Sequence, residues 1–407
     1  MKLFINGRKD VFSTLQTKIQ PTDNVIWFHA ASLGEYEQGL PVMEAIKEQF
    51  PKHKIVLTFF SPSGFEVRKN NTIADVTVYL PLDTKNNATQ FLKLIHPEMA
   101  FFIKYEFWPN YLNELKIRNI QTYLISGIFR EKQAFFKWYG GFYRNALQSF
   151  DHFFVQNDSS KKLIQSIGFT NVTVSGDTRF DRVTTILERD NSLDFIEYFK
   201  FLDSARNNKA TTIVIGSSWP KDEELLVNYI NQAPDTVKFI IAPHNIKEEQ
   251  ILNLKSQIQK KTILFSEKEA ILKQHSDSAQ CDKLENYQVF IINTIGILTK
   301  IYSYADIAYV GGGFGNPGVH NILEPATFGV PIIIGPNYAH FAEATALVHQ
   351  GGCTSIQNAN ELKLAFDSLL YNSDERLEKG HICETFVQMN KGATTKIINY
   401  ILTKNQQ

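Results

Sequence analysis

Two carboxylates stand where chemistry could be done, each just past an apolar run. Glu35 closes the loop Ala31-Ser32-Leu33-Gly34-Glu35, which leaves Val25–Ala30 and enters a helical pattern. A carboxylate at the carboxyl end of a buried strand can take a proton from a hydroxyl as a general base, provided partial burial tunes it. The same spacing suits a capping box, with Ser32 as cap and Glu35 three residues on. Spacing alone leaves both readings open. Glu324 follows the run Ile307–Val310 and the turn Gly311-Gly312-Gly313-Phe314-Gly315-Asn316-Pro317-Gly318-Val319-His320-Asn321. Strand, glycine-rich turn and helix in that order let backbone N–H groups approach an anion, and a helix N-terminus adds partial positive charge. Glu324, about one turn further on, could take two ribose hydroxyls. A nucleotide-linked ligand fits that set, and a tight turn without a ligand is the plain alternative. Neither the phosphate loop that ends in Gly-Lys-Ser/Thr nor the G-x-G-x-x-G fingerprint followed by a ribose acid about 20 residues on is matched.

Other strand ends are polar too. Lys104-Tyr105-Glu106-Phe107-Trp108-Pro109 follows Met99–Ile103, and on an extended chain Lys104 and Glu106 would share a face and could pair. That pair is equally at home on a surface. Ser61-Pro62-Ser63-Gly64 makes a turn after another strand. Gly216-Ser217-Ser218 opens a helix, where small hydroxyl residues serve a phosphate or merely cap. His244 ends Ala242-Pro243-His244-Asn245 in a similar place. Residues 129–144 interleave Arg130, Lys132 and Lys137 with Phe135, Phe136 and Trp138. Such a segment could lie on an anionic membrane surface, or be a buried helix with snorkelling cations.

These loops need strands to hold them. Val25–Ala30, Lys54–Thr58, Met99–Ile103, Gln121–Ser126 and His152–Val155 alternate with helical patterns, as do Thr212–Ile215, Lys238–Ile241, Ile307–Val310 and Pro331–Gly335. That alternation predicts an α/β protein of parallel sheets with functional loops at the carboxyl strand ends. At 407 residues the chain is long enough for two such domains. The polar stretch 181–208 places the boundary near 185/186, giving domains of residues 1–185 and 186–407, with the last helix able to pack back on the first. The 42 basic and 42 acidic residues cancel, which argues against a nucleic-acid-binding surface. A slight basic excess in the first half hints at an anionic partner there. Cys281, Cys353 and Cys383 are three, odd in number and scattered, so neither a disulfide framework nor a zinc site is expected, and a reducing cytoplasm is the simple inference. No metal motif and no hydrolase elbow occurs. No apolar run is long enough to span a bilayer, and Met1–Gly7 is too short and polar for a signal peptide.

Taken in order, the loops resemble the 3-deoxy-D-manno-octulosonic acid (Kdo) transferases of Gram-negative bacteria. Trp27-Phe28-His29-Ala30-Ala31-Ser32-Leu33-Gly34-Glu35 resembles W-x-H-A-x-S-x-G-E, and Thr58–Gly64 resembles T-x-x-[TS]-P-[TS]-G. Glu106–Pro109 resembles E-[LF]-W-P, Gly176–Asp181 G-N-x-K-x-D, and Gly216–Ser218 G-S-T. Residues 317–326 resemble G-G-H-N-x-L-E-P-A, and Gly335-Pro336-Asn337 with His340-Phe341 resembles G-P-x-x-x-N-F. Departures are Pro243-His244-Asn245 for P-R-H, Ile295-Gly296-Ile297 for M-G-E, Lys104-Tyr105 for E-T, and Val319 for the second glycine of G-G-H-N.

The resemblance implies a GT-B glycosyltransferase: two Rossmann-like domains facing a central cleft, the acceptor on the first and CMP-Kdo on the second. It implies inverting, metal-independent transfer of Kdo to a glucosamine hydroxyl of the lipid A precursor (lipid IVA), in lipopolysaccharide biosynthesis. Glu35 matches the catalytic base. Glu324 matches the nucleotide-ribose acid, and Ser217, Ser218 and Asn321 match the surroundings of the CMP phosphate, with His244, Gly318 and His320 beside them. Ser32, Gly34, Ser61, Lys104, Glu106, Arg130 and Lys132 fall on the acceptor side. CMP-Kdo is then the donor substrate, with no further cofactor. The place of work is the cytoplasmic face of the inner membrane, and the chain looks truncated of an N-terminal anchoring helix before Gly7-Arg8. Two other readings stand beside it: another GT-B sugar-nucleotide enzyme, such as a UDP-sugar transferase or epimerase, and a non-catalytic lipid A precursor-binding protein.

Overall fold

The computed structural model describes residues 2–203, 208–270, 283–316 and 318–405; Cys281 and Pro317 lie outside them. The chain divides into two units, residues 1–182 with 390–407, and residues 183–389. The sequence-based boundary at 185/186 is three residues from this division, and the final 18 residues belong with the first unit.

The first unit is built on seven strands: β1 (Val25–Ala30), β2 (Lys54–Phe59), β3 (Val76–Tyr79), β4 (Met99–Ile103), β5 (Gln121–Gly127), β6 (His152–Val155) and β7 (Val172–Val174). Their order is β3-β2-β1-β4-β5-β6-β7, and every pairing is parallel. A parallel sheet covered on both faces needs strands apolar on both sides, and all six residues of β1 are buried. Neighbours in sequence go to opposite faces. Trp27 packs with Phe91, Phe102 and Tyr111, while Phe28 stacks on Phe101 in the other layer. Ile397 and Ile401 of the C-terminal helix Ala393–Asn405 join that second layer. The Asp181 carboxylate fixes the start of this helix by accepting Gly392 N–H at 2.5 Å and Thr394 N–H at 2.7 Å.

The second unit carries a small antiparallel pair, β8 (Phe201–Asp203) and β9 (Asn208–Lys209), after the helix Asp194–Phe199. Its main sheet comprises β10 (Thr211–Ser218), β11 (Val237–Pro243), β12 (Thr262–Leu264), β13 (Val289–Ile291), β14 (Ile307–Val310), β15 (Ile332–Ile334) and β16 (Cys353–Ser355). The order is β12-β13-β11-β10-β14-β15-β16, again parallel throughout.

Each sheet winds outward in two directions from a central pair, β1 beside β4 and β10 beside β14. At such a switch point the following loops diverge and leave a crevice at the carboxyl ends of the strands. Ser32, Glu35 and Lys104 follow β1 and β4; Ser217 and Ser218 end β10, and the glycine turn follows β14. Among the described residues no helix is long and apolar enough to cross a membrane.

Candidate functional site

In the first unit the helix Leu33–Gln49 starts directly after the β1 loop, with Ser32 at its N-cap in an extended conformation. Ser32 makes no cap bond to the helix; its hydroxyl donates instead to Oε2 of Glu35. The capping-box reading therefore does not describe this turn. Glu35 is 6 % exposed, and its Oε1 lies 3.5 Å from Nζ of Lys104. A buried carboxylate with one hydroxyl donor and one long cationic contact keeps lone pairs for a further partner.

Lys104 adopts φ +70°, uncommon for a residue with a side chain. That left-handed step explains why the expected pairing with Glu106 is replaced by one with Glu35: the chain at Lys104 is not extended. Glu106 sits instead near His29, Oε2 to Nε2 at 3.8 Å. His29 Nε2 is occupied, because Trp108 Nε1–H donates to it at 2.9 Å. An indole nitrogen can only donate, so the imidazole proton resides on Nδ1, which donates to Thr58 Oγ1 at 2.9 Å. Thr58 also accepts Trp27 Nε1–H at 2.8 Å and donates to Phe28 O at 3.3 Å. This closed chain locks the Glu106–Pro109 loop to β1 and β2. His29, Thr58 and Trp108 were quoted in the sequence motifs but not assigned to the site.

The remaining acceptor-side candidates are less concentrated. Ser61 caps the helix Pro62–Arg68 by accepting Ser63 N–H at 3.2 Å, and its own N–H donates to Ala31 O at 2.7 Å. Gly34 is exposed on the first turn beside Ser32. Arg130 and Lys132 are exposed in the loop after β5. The segment 129–144 is not the continuous buried helix of the alternative reading. A 3-10 turn at Ala134–Phe136 buries Phe135, and a short helix follows at Gly141–Leu147. Trp138 is 92 % exposed, with Tyr139, Phe142 and Tyr143 also exposed. Arg144 is spent within the loop, donating to the carbonyls of Phe135 and Lys137.

In the second unit the glycine turn proves to be packed rather than open. A Cβ on Gly311 would lie 2.4 Å from Ser217 O, and Gly312, at φ +94°, faces Gly318 O. The N–H groups of Gly311, Gly312, Gly315, Gly318, Val319 and His320 all donate to protein acceptors. The helix beyond, Leu323–Thr327, has only five residues. Those N–H groups are taken within the protein, and at Gly311 and Gly312 the missing side chain permits close backbone packing.

Glu324 is half-buried and receives Asn321 Nδ2–H at 3.1 Å on one oxygen and Thr299 Oγ–H at 3.2 Å on the other. Buried Tyr302 has its hydroxyl pKa pushed well up, by burial first and then by the Glu324 charge. Ser217 is half-buried at φ +55°, and buried Ser218 donates to Glu223 Oε1 at 2.9 Å. Burial first, and the neighbouring Asp222 charge as well, raise the Glu223 carboxyl pKa. His244, Trp219 and His320 form a layered cluster. Trp219 Nε1–H donates to His320 Nε2 at 2.8 Å, the two rings lie 15° from parallel, and His244 stacks over both at 4.5 and 4.6 Å. Burial, then the His244 charge, hold the His320 pKa down to about 4; burial also lowers His244. Trp219, Asp222, Thr299 and Tyr302 are the site neighbours that sequence reasoning missed. Gly318 lies against Phe341 and Asn337.

Comparison with known proteins places this geometry. Residues 7–182 match the family model described as 3-deoxy-D-manno-octulosonic-acid transferase (kdotransferase). The 3-deoxy-D-manno-octulosonic acid transferase of Chlamydophila psittaci is 27 % identical, over 93 % of this chain and 87 % of that protein. That of Haemophilus influenzae is 25 % identical, over 94 % and 87 %. Among solved structures, a putative UDP-N-acetylglucosamine 2-epimerase from Listeria monocytogenes superposes with a TM-score of 0.62 at 11 % identity, over 95 % of this chain and 97 % of that one. That likeness carries the fold alone, the two doubly wound parallel sheets of the GT-B class. Residues 7–182 thus match the model of the 3-deoxy-D-manno-octulosonic-acid transferase family, and similarity to proteins of that name extends over nine-tenths of the chain.

Proposed function

We propose that the chain is an inverting glycosyltransferase that moves Kdo from CMP-Kdo to a glucosamine hydroxyl of the lipid A precursor. The observation that carries the reading is Glu35: a buried carboxylate at a switch point, held by Ser32 and Lys104, in a stretch that matches the family model. In the reaction a Glu35 oxygen accepts the hydroxyl proton as the acceptor oxygen bonds to the anomeric carbon. The bond from that carbon to the CMP phosphate breaks, and its electron pair leaves with CMP. Attack opposite the leaving group inverts the centre. Ser32 and Lys104 fix the rotamer of Glu35, so the base is in place before the acceptor arrives. Glu324, oriented by Asn321 and Thr299, takes the ribose hydroxyls. Ser217, Ser218 and Asn321 surround the CMP phosphate, and backbone N–H groups of the second unit receive its charge.

The exposed Trp138, Tyr139, Phe142 and Tyr143, with Arg130 and Lys132 nearby, support a membrane-surface location where such an acceptor resides. The cytoplasmic face of the inner membrane is the compartment proposed. Thermal melting with added nucleotide tests the donor side, because a ligand that binds only the folded protein raises the melting temperature. CMP should stabilise the protein and UDP should not; the reverse order would favour a UDP-sugar enzyme.

A further inference from the structure

Asp222 is fully buried, and the transfer described above makes no use of it. Its carboxylate accepts three hydrogen bonds: Tyr309 O–H on Oδ1 at 2.8 Å, and on Oδ2 the N–H groups of Trp219 and Gly312, each at 2.9 Å. A helix cap would need only the bond to Trp219. The other two donors are 87 and 90 residues away in sequence, on β14 and on the glycine turn. Three donors on an ion-capable acceptor make strong bonds, and removing the acceptor leaves all three buried donors unmet.

The consequences spread from Trp219. Its N–H is fixed by Asp222, its indole N–H engages His320 Nε2, and its ring supports His244. Because the indole can only donate, His320 must carry its proton on Nδ1. We propose that Asp222 is a positioning residue of the donor site: one buried carboxylate sets the glycine turn at Gly312, the Trp219–His320 pair and, through Trp219, the His244 ring. The inference rests on the donor-site reading for its ligand, but its structural content does not. Asp222→Asn separates hydrogen bonding from charge. An amide oxygen can still accept from Trp219 and Gly312, while Nδ2–H donates to the Tyr309 oxygen.

The test uses the full chain as parent, Asp222→Asn, Asp222→Ala and Tyr309→Phe. Calorimetric titration with CMP is run beside the side-chain 15N spectrum of His320 without nucleotide. Asp222→Ala should weaken CMP binding on the order of tenfold, the scale of a lost buried partner. It should also abolish the single Nδ1–H tautomer of His320. Asp222→Asn should restore both to within about threefold of the parent, and Tyr309→Phe, which keeps the two N–H bonds, should fall between. If Asp222→Ala does not fold, the Asn and Phe variants still decide. Unchanged CMP affinity and an unchanged His320 tautomer in Asp222→Ala, or in Tyr309→Phe when Ala fails to fold, would overturn the proposal and leave a helix cap. A parent that ignores CMP would sink the donor-site reading instead, and the tautomer would still judge Asp222.

Discussion

Replacing Trp108 by Phe probes the bond network that ties the Glu106–Pro109 loop to β1. Trp108 Nε1–H is the donor that satisfies His29 Nε2, on a ring that is 0 % exposed. Phenylalanine keeps an aromatic ring against Phe60, whose centroid is 4.7 Å away, but offers no donor. The unmet imidazole nitrogen costs about 1–3 kcal/mol. Trp108 is only half-buried, so the smaller ring adds about 1 kcal/mol of lost packing. The expected total is about 2–4 kcal/mol. With a urea slope of about 2–3 kcal/mol/M for a unit of this size, the unfolding midpoint should fall by roughly 1 M. Trp138→Phe is the control, since that ring is 92 % exposed and should cost almost nothing. A Trp108→Phe midpoint within about 0.2 M of the parent would mean that His29 finds another partner, and the closed network would be wrong.

Lowering pH should destabilise the protein through buried histidines. His320 and His152 are each held down from 6.5 to about 4, chiefly by burial, so the unfolded chain binds their protons first. Their contribution is complete above about pH 6.5 and is lost as pH falls towards 4; urea midpoints that stay flat across that window would contradict it. Glu324→Ala should weaken CMP binding by about 1–3 kcal/mol with little change in the melting temperature of the free protein. Unchanged titration with a large drop in melting temperature would show a structural carboxylate. Changing Arg130, Lys132 and Lys137 together to Ser should reduce co-sedimentation with anionic vesicles containing the acceptor, by about 1 kcal/mol per exposed cation and less at high salt. The exposed Trp138 should preserve part of the binding, and sedimentation equal to the parent at low salt would remove the basic residues from that role.

The long central strands were legible because a doubly covered parallel strand must be apolar on both faces, as Val25–Ala30 and Ile307–Val310 are. The shorter β3, β7, β12 and β16 were not read: three or four residues carry little periodicity, and all four lie at sheet edges with partly exposed positions. Val289–Ile291 carried the apolar signal and was passed over. At the site, the loops could be located because each follows a strand end, but the partners could not. Nothing in the spacing of Ser32 and Glu35 says whether the hydroxyl turns to the helix or to the carboxylate. The pairing of Lys104 with Glu35 depends on one left-handed residue, which the local sequence does not announce. Glycines 311 and 312 were read as room for a ligand, whereas the room is taken by Ser217 and Gly318, contacts set by tertiary packing.

Glu35 is proposed as the base of a Kdo transfer. Product mass after incubation of the protein with CMP-Kdo and tetraacylated lipid A precursor tests it directly, with Glu35→Gln run in parallel. The parent should add one or more Kdo residues to the acceptor. Glu35→Gln should bind CMP as the parent does and form product about 10²–10⁴-fold more slowly, the range for a lost general base. An acceptor of unchanged mass with the parent, or a Glu35→Gln variant at near-parental rate, would contradict the account.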